Sequence, residues 1–109
     1  MRIIPTKQLA KDLKELGKKY PSITADLRQL QGELLENPTK GTPLGDNRYK
    51  IRLKIASKSQ GKSGGARVIT YLKLSDDELW LLTMYDKSDI ENVSDAFLND
   101  LVKAINKPF

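Results

Sequence analysis

Neither cysteine nor histidine occurs among the 109 residues. The first absence removes disulfides, thiolate nucleophiles and zinc knuckles. The second removes a Ser-His-Asp hydrolase, since no imidazole is present to activate a serine or threonine. Together they all but exclude a zinc site. No apolar run approaches the ~20 residues that span a bilayer. Met1-Arg-Ile-Ile-Pro5 gives way at once to an amphipathic pattern, so no signal peptide is expected. A cytoplasmic protein with no membrane partner is the simplest expectation. A hydrophobic content of 39% with 30% charged residues suits a soluble globular chain. The length leaves room for one domain with one modest core.

Charge is present in abundance, and it is segregated. Of 19 lysines and arginines, eight fall within residues 48–73 (Arg48, Lys50, Arg52, Lys54, Lys58, Lys62, Arg67 and Lys73), and that stretch holds no acid. Residues 1–47 carry eight cations and six acids, and residues 74–109 carry three cations and eight acids. The basic block begins with strict alternation: Tyr49, Ile51, Leu53 and Ile55 on one side, Arg48, Lys50, Arg52 and Lys54 on the other. That pattern is a half-buried strand. Same-face residues on a strand lie roughly 6.6 Å apart, so four positive charges stand in a row and a second strand can bring Arg67 beside them. Their repulsion is relieved when an anion lies across them, and a phosphate polymer fits. The competing reading is a lysine-rich edge strand that blocks edge-to-edge pairing, or a merely solvated face. Lys58, Lys62 and Arg67 add cations that edge protection does not require.

Along the chain, Arg2-Ile-Ile-Pro5 reads as a short edge strand, because Pro5 cannot donate to a ladder. Thr6 caps a helix bearing Leu9, Leu13, Leu16 and Tyr20, which Pro21 stops. A second helix starts near Ser22 with Ile23, Leu27, Leu30 and Leu34 on one stripe, and Asn37-Pro38 ends it. Such narrow stripes call for a helical hairpin against a sheet. Thr39 to Asn47 reads as a loop. The basic strand, a glycine-serine loop over 57–65 and a strand from about 66 to 73 follow. Ser75-Asp-Asp-Glu78 reads as a solvated turn, with a magnesium site there as a weak alternative. Leu79 to Tyr85 is apolar on both faces, as in a central strand, with Trp80 in the core. Residues 86–93 are polar and irregular. Ser94 then caps a last helix carrying Phe97, Leu101 and Ile105, closed by Pro108. The fold class is α+β, in the order β-α-α-β-β-β-α, its last three strands an antiparallel meander.

Ala56-Ser-Lys-Ser-Gln-Gly-Lys62-Ser63 loosely fits a phosphate-loop pattern with Ala for the first Gly. That mechanism needs a helix N-terminus directly after the loop, whereas Gly64-Gly65 leads into a strand. Nucleotide hydrolysis is set aside on that ground.

Three stretches together resemble the RelE/HigB superfamily of bacterial toxins: Gly41-Thr-Pro-Leu-Gly45, the run Lys58-x-x-Gly-Lys62-Ser-Gly-Gly65-x-Arg67-Val-Ile, and Leu81-Leu-Thr-Met-Tyr85-Asp-Lys87. The element order matches as well, so the resemblance spans residues 1–109 as a single RelE-like toxin domain. It implies the RelE-like fold, an antiparallel sheet with the N-terminal hairpin on one face, plus a C-terminal helix. It further implies the toxin of a type II toxin–antitoxin system: an endoribonuclease that cleaves mRNA on the ribosome without a metal or other cofactor. A cognate antitoxin, often one with a helix-turn-helix domain, neutralises such toxins. By motif, Lys50, Arg52, Arg67, Tyr85 and Lys87 take the catalytic positions. Arg48, Lys54, Lys58, Lys62 and Lys73 are expected to bind RNA. The RelE branch adds an arginine and a tyrosine beyond the last strand, where this chain has Ile90 and Ser94, and the histidines of some HigB members have no counterpart. Which residue is base and which acid stays open: a lysine of the row Lys50-Arg52-Lys54, crowded by cations, is available as base, and Lys87 or Tyr85 as acid. A basic module that holds RNA without cutting it, and a protein-interaction domain, are the alternatives.

Overall fold

The computed structural model describes residues 1–57 and 65–107. Its elements are β1 (Arg2–Pro5), α1 (Lys7–Lys19), α2 (Ile23–Glu36), β2 (Thr42–Gly45), β3 (Arg48–Leu53), β4 (Ala66–Lys73), β5 (Glu78–Asp86) and α3 (Asp95–Asn106). A single 3₁₀ turn over Leu74–Asp76 joins β4 to β5. The strands form one sheet in the order β1-β5-β4-β3-β2. β1 runs parallel to β5 at one edge, and all other pairs are antiparallel. Among the described residues no helix is long and apolar enough to cross a membrane.

The meander β3-β4-β5 and the edge position of β1 are as the alternation and Pro5 predict. The difference is β2. Residues 39–47 read as a loop because Gly, Pro, Asn and Asp crowd it, yet Thr42 pairs with Lys50 and Pro43 with Tyr49. Asp46 and Asn47 close this hairpin with φ of 52° and 62°, the positive pair a two-residue I′ turn requires. Pro43 is tolerated because β2 forms the other edge of the sheet. Gly41 admits the chain: its φ is +108° and a Cβ there would lie 2.6 Å from the Lys50 carbonyl oxygen. The acidic turn also differs from expectation. Glu78 is a buried residue of β5 that accepts hydrogen bonds from Arg2 and from Trp80 Nε1 (3.0 Å), while Asp76 and Asp77 pair with Lys73 and the N-terminal amine.

The sheet has two unlike faces. Leu9 and Leu16 of α1 and Ile23, Leu27, Leu30 and Leu34 of α2 pack on Ile51, Leu53, Val68, Leu72, Leu79, Leu81 and Met84. On the opposite face α3 covers Ile69, Leu82 and Tyr85, with Leu98 buried and Phe97, Leu101 and Ile105 packed around it. Thr6 and Ser94 cap their helices as expected, accepting from the backbone N–H of Leu9 (3.0 Å) and Phe97 (3.1 Å). Ser22 does not cap α2; its hydroxyl donates to Asp26 (2.7 Å).

β5 carries one extra residue. Ile69 pairs with Thr83 and Thr70 with Leu81, which leaves Leu82 without a direct partner, as in a bulge. Asp12 of α1 fills the gap, accepting from Thr83 Oγ1 (2.6 Å) and from the Met84 N–H (3.2 Å). The bulge resets the alternation of β5, so that Met84 faces α1 and Tyr85 faces α3.

Candidate functional site

β4 lies between β3 and β5, and register sets its first residues against theirs. Arg52 stands opposite Arg67, and Arg67 opposite Tyr85. Directly opposed residues of an antiparallel pair share a face with Cβ atoms roughly 4.5–5.5 Å apart. Two guanidinium groups side by side oppose folding. Arg67 is nevertheless only 7% exposed, and its Nη1 donates to the Ala66 carbonyl (3.2 Å). Gly65 makes the entry to β4 possible: its φ is +67° and a Cβ there would lie 2.9 Å from the Leu53 carbonyl oxygen.

The cations converge on one cavity of about 490 Å³, lined by Lys50, Arg52, Arg67 and Lys87 together with Thr42, Glu91 and Asn92. Three strands and the segment after β5 each supply part of it. Thr42 comes from β2, the strand read as loop. Lys50 Nζ donates to Asn92 Oδ1 at 3.2 Å, tying β3 to that segment. A smaller cavity of about 180 Å³ adjoins it, sharing Lys50 and Asn92 and bounded by Leu44, Ile69, Tyr85 and Leu98. Tyr85 is 5% exposed, and its hydroxyl has no hydrogen-bond partner among the described residues. Burial raises the Tyr85 pKa above its ordinary value, against the opposing pull of the Arg67 charge. The phenol is therefore held in its protonated, donating form.

The segment carrying Lys87, Glu91 and Asn92 is anchored from behind. Asp86, next to Tyr85 but on the other face, has a side chain with 0% exposure. Its carboxylate accepts from Tyr20 Oη (2.5 Å), Ser88 N (2.9 Å), Ser88 Oγ (2.7 Å) and Lys19 Nζ (3.3 Å). Burial alone would raise its pKa, but these donors outweigh it and hold the carboxyl well below the usual range. The Asp86 carbonyl also accepts from the N–H groups of Asp89 (3.0 Å) and Ile90 (3.1 Å), shaping the bend. Lys87 N–H donates back to the Gly65 carbonyl (3.2 Å), beside Arg67.

Of the ten residues singled out from sequence, Lys50, Arg52, Arg67 and Lys87 line the large cavity and Tyr85 the adjoining one. Others go elsewhere. Arg48 Nη1 donates to Asn99 of α3 (2.6 Å). Lys54 lies with Arg52 in a separate depression against α2. Lys73 is ion-paired with Asp76 (2.8 Å), which raises its pKa, at the far end of β4 from Arg67. Lys58, Lys62 and Pro108 fall outside the described residues. Thr42, Glu91 and Asn92 were not singled out. The Asp46-Asn47 pair was the available signal for β2, and with it for Thr42; nothing local marks Glu91 or Asn92.

A five-stranded sheet with β1 parallel to β5, a helical hairpin on one face and a C-terminal helix on the other is the RelE-like fold, and the chain has it. The structure is similar to that of E. coli toxin RelE in the free state, solved as a variant with two arginines replaced by alanine. The TM-score is 0.63 and the identity 19%, over 95% of this chain and 96% of that one. No protein-family model matches the sequence.

Proposed function

We propose that the protein is the toxin of a type II toxin–antitoxin system, an endoribonuclease that cuts mRNA on the ribosome by attack of a 2′-hydroxyl on the adjacent phosphate. The observation that carries this reading is the convergence of Lys50, Arg52, Arg67 and Lys87 on one cavity, supported by the likeness to a protein named as a toxin. Their mutual repulsion is relieved when a phosphodiester enters. Arg67, fixed by burial, presents a guanidinium suited to two-pronged contact with the scissile phosphate. Each preorganised donor aimed at charge that develops in the transition state is worth roughly 10²–10³ in rate. In this reading Lys87 protonates the leaving 5′-oxygen, and the Tyr85 phenol of the adjoining cavity is a second donor. Holding the nucleotide in line contributes up to ~7–11 kcal/mol, and in this reading the ribosome supplies that alignment. The partners are mRNA, the ribosome and a neutralising antitoxin.

The test is purified protein added to mRNA-programmed ribosomes and to the same RNA alone. Cleavage confined to the ribosomal sample, unaffected by EDTA and leaving 2′,3′-cyclic phosphate ends, is expected. A basic module that only holds RNA would bind in a salt-sensitive manner and leave every transcript whole.

A further inference from the structure

Resting on that reading, we infer that Glu91 is the general base of the cut. It is the one acidic side chain among the described residues that line the basic cavity, and it makes no ion pair with any of them. Its segment is pinned on both sides. The Asp86 carbonyl holds the Asp89 and Ile90 N–H groups just before it. Asn92, just after it, accepts from Lys50, and Ser94 then caps α3.

For binding a polyanion alone, a carboxylate among four cations is a liability, because it repels the phosphate they attract. For cutting one, it supplies a proton acceptor that need not first lose a proton itself. The chain has no histidine, a guanidinium does not give up its proton in proteins, and a lysine accepts a proton only after its ammonium has lost one. An ionised carboxylate is acceptor-only. The Glu91 carboxylate takes the 2′-hydroxyl proton and the 2′-oxygen bonds to phosphorus. The bond from phosphorus to the 5′-oxygen breaks, and that oxygen takes a proton from Lys87. The products are a 2′,3′-cyclic phosphate and a 5′-hydroxyl, with no change of oxidation state.

The experiment is single-turnover cleavage on mRNA-programmed ribosomes with saturating protein, alongside RNA affinity. Glu91→Gln is expected to lower the rate constant about 10²–10⁴-fold, the usual share of general base catalysis, while affinity holds or tightens as a negative charge leaves. Adding formate to Glu91→Ala is expected to restore part of the rate, and chloride is not. A Gln variant that cleaves within about threefold of wild type overturns the inference while leaving the function standing. So does a loss of rate that comes with weakened binding and no formate rescue. Wild type that binds ribosomes and cuts nothing overturns the proposed function, and this inference with it.

Discussion

Two adjacent residues at the end of β5 meet opposite treatment. Asp86 faces α1, and donors from Tyr20, Ser88 and Lys19 meet its carboxylate. Tyr85 faces α3, and its buried hydroxyl meets no partner among the described residues. The contrast extends to the two faces. Where the hairpin packs, Asp12 answers Thr83 and Met84 inside the bulge, although the buried Thr70 hydroxyl on that face has no partner among the described residues. On the other face Arg52 stands opposite Arg67 beside the open cavity, and the Tyr85 phenol lies buried under α3. Like charges so opposed disfavour folding, and in the proposed reading a bound phosphate relieves them.

Breaking the satisfied side has the largest expected effect on folding. Asp86→Ala removes the acceptor for Tyr20, Ser88 and Lys19 and is expected to lower stability by about 3 kcal/mol in denaturant melts. The same carboxylate carries a pH signature. Its pKa is lower in the fold than in the unfolded chain, so its contribution is fully present above the unfolded value of ~3.9 and is lost as pH falls through the folded one. Wild type and Asp86→Asn are therefore expected to converge in stability as pH drops below about 4, and a constant gap down to strong acid would contradict this. The two tyrosines sharpen the comparison with a smaller effect. Tyr20→Phe gives up a hydrogen bond to a charged group and is expected to cost roughly 1.5–2 kcal/mol. Tyr85→Phe discards a hydroxyl with no partner and is expected to change stability by less than about 0.5 kcal/mol, while slowing cleavage. Equal losses for both would erase the contrast between the two hydroxyls.

The scaffold was largely legible in the sequence because its signals are local. Alternation in residues 48–55 identified β3 and its buried side, a two-faced apolar run identified β5, and Thr6 and Ser94 announced two helices. β2 was hidden because four residues containing Pro43 and Gly45 become a strand only by pairing with β3. The candidate site was half legible for a similar reason. Alternation tells which face a cation occupies, and not what waits there. Arg48 meets Asn99 of α3 and Lys73 meets Asp76, so two members of the basic block are engaged away from the cavity. Glu91 joins the cavity only through a bend held by Asp86 and a contact between Asn92 and Lys50. No periodicity runs through that segment.

The central claim, that the opposed arginines serve to cut RNA, is tested most directly by primer extension on mRNA from cells expressing wild type or Arg67→Ala at equal levels. New 5′ ends within translated frames are expected for wild type, and their disappearance in the variant, with both proteins folded by circular dichroism. Undiminished cleavage by a folded Arg67→Ala protein would contradict it.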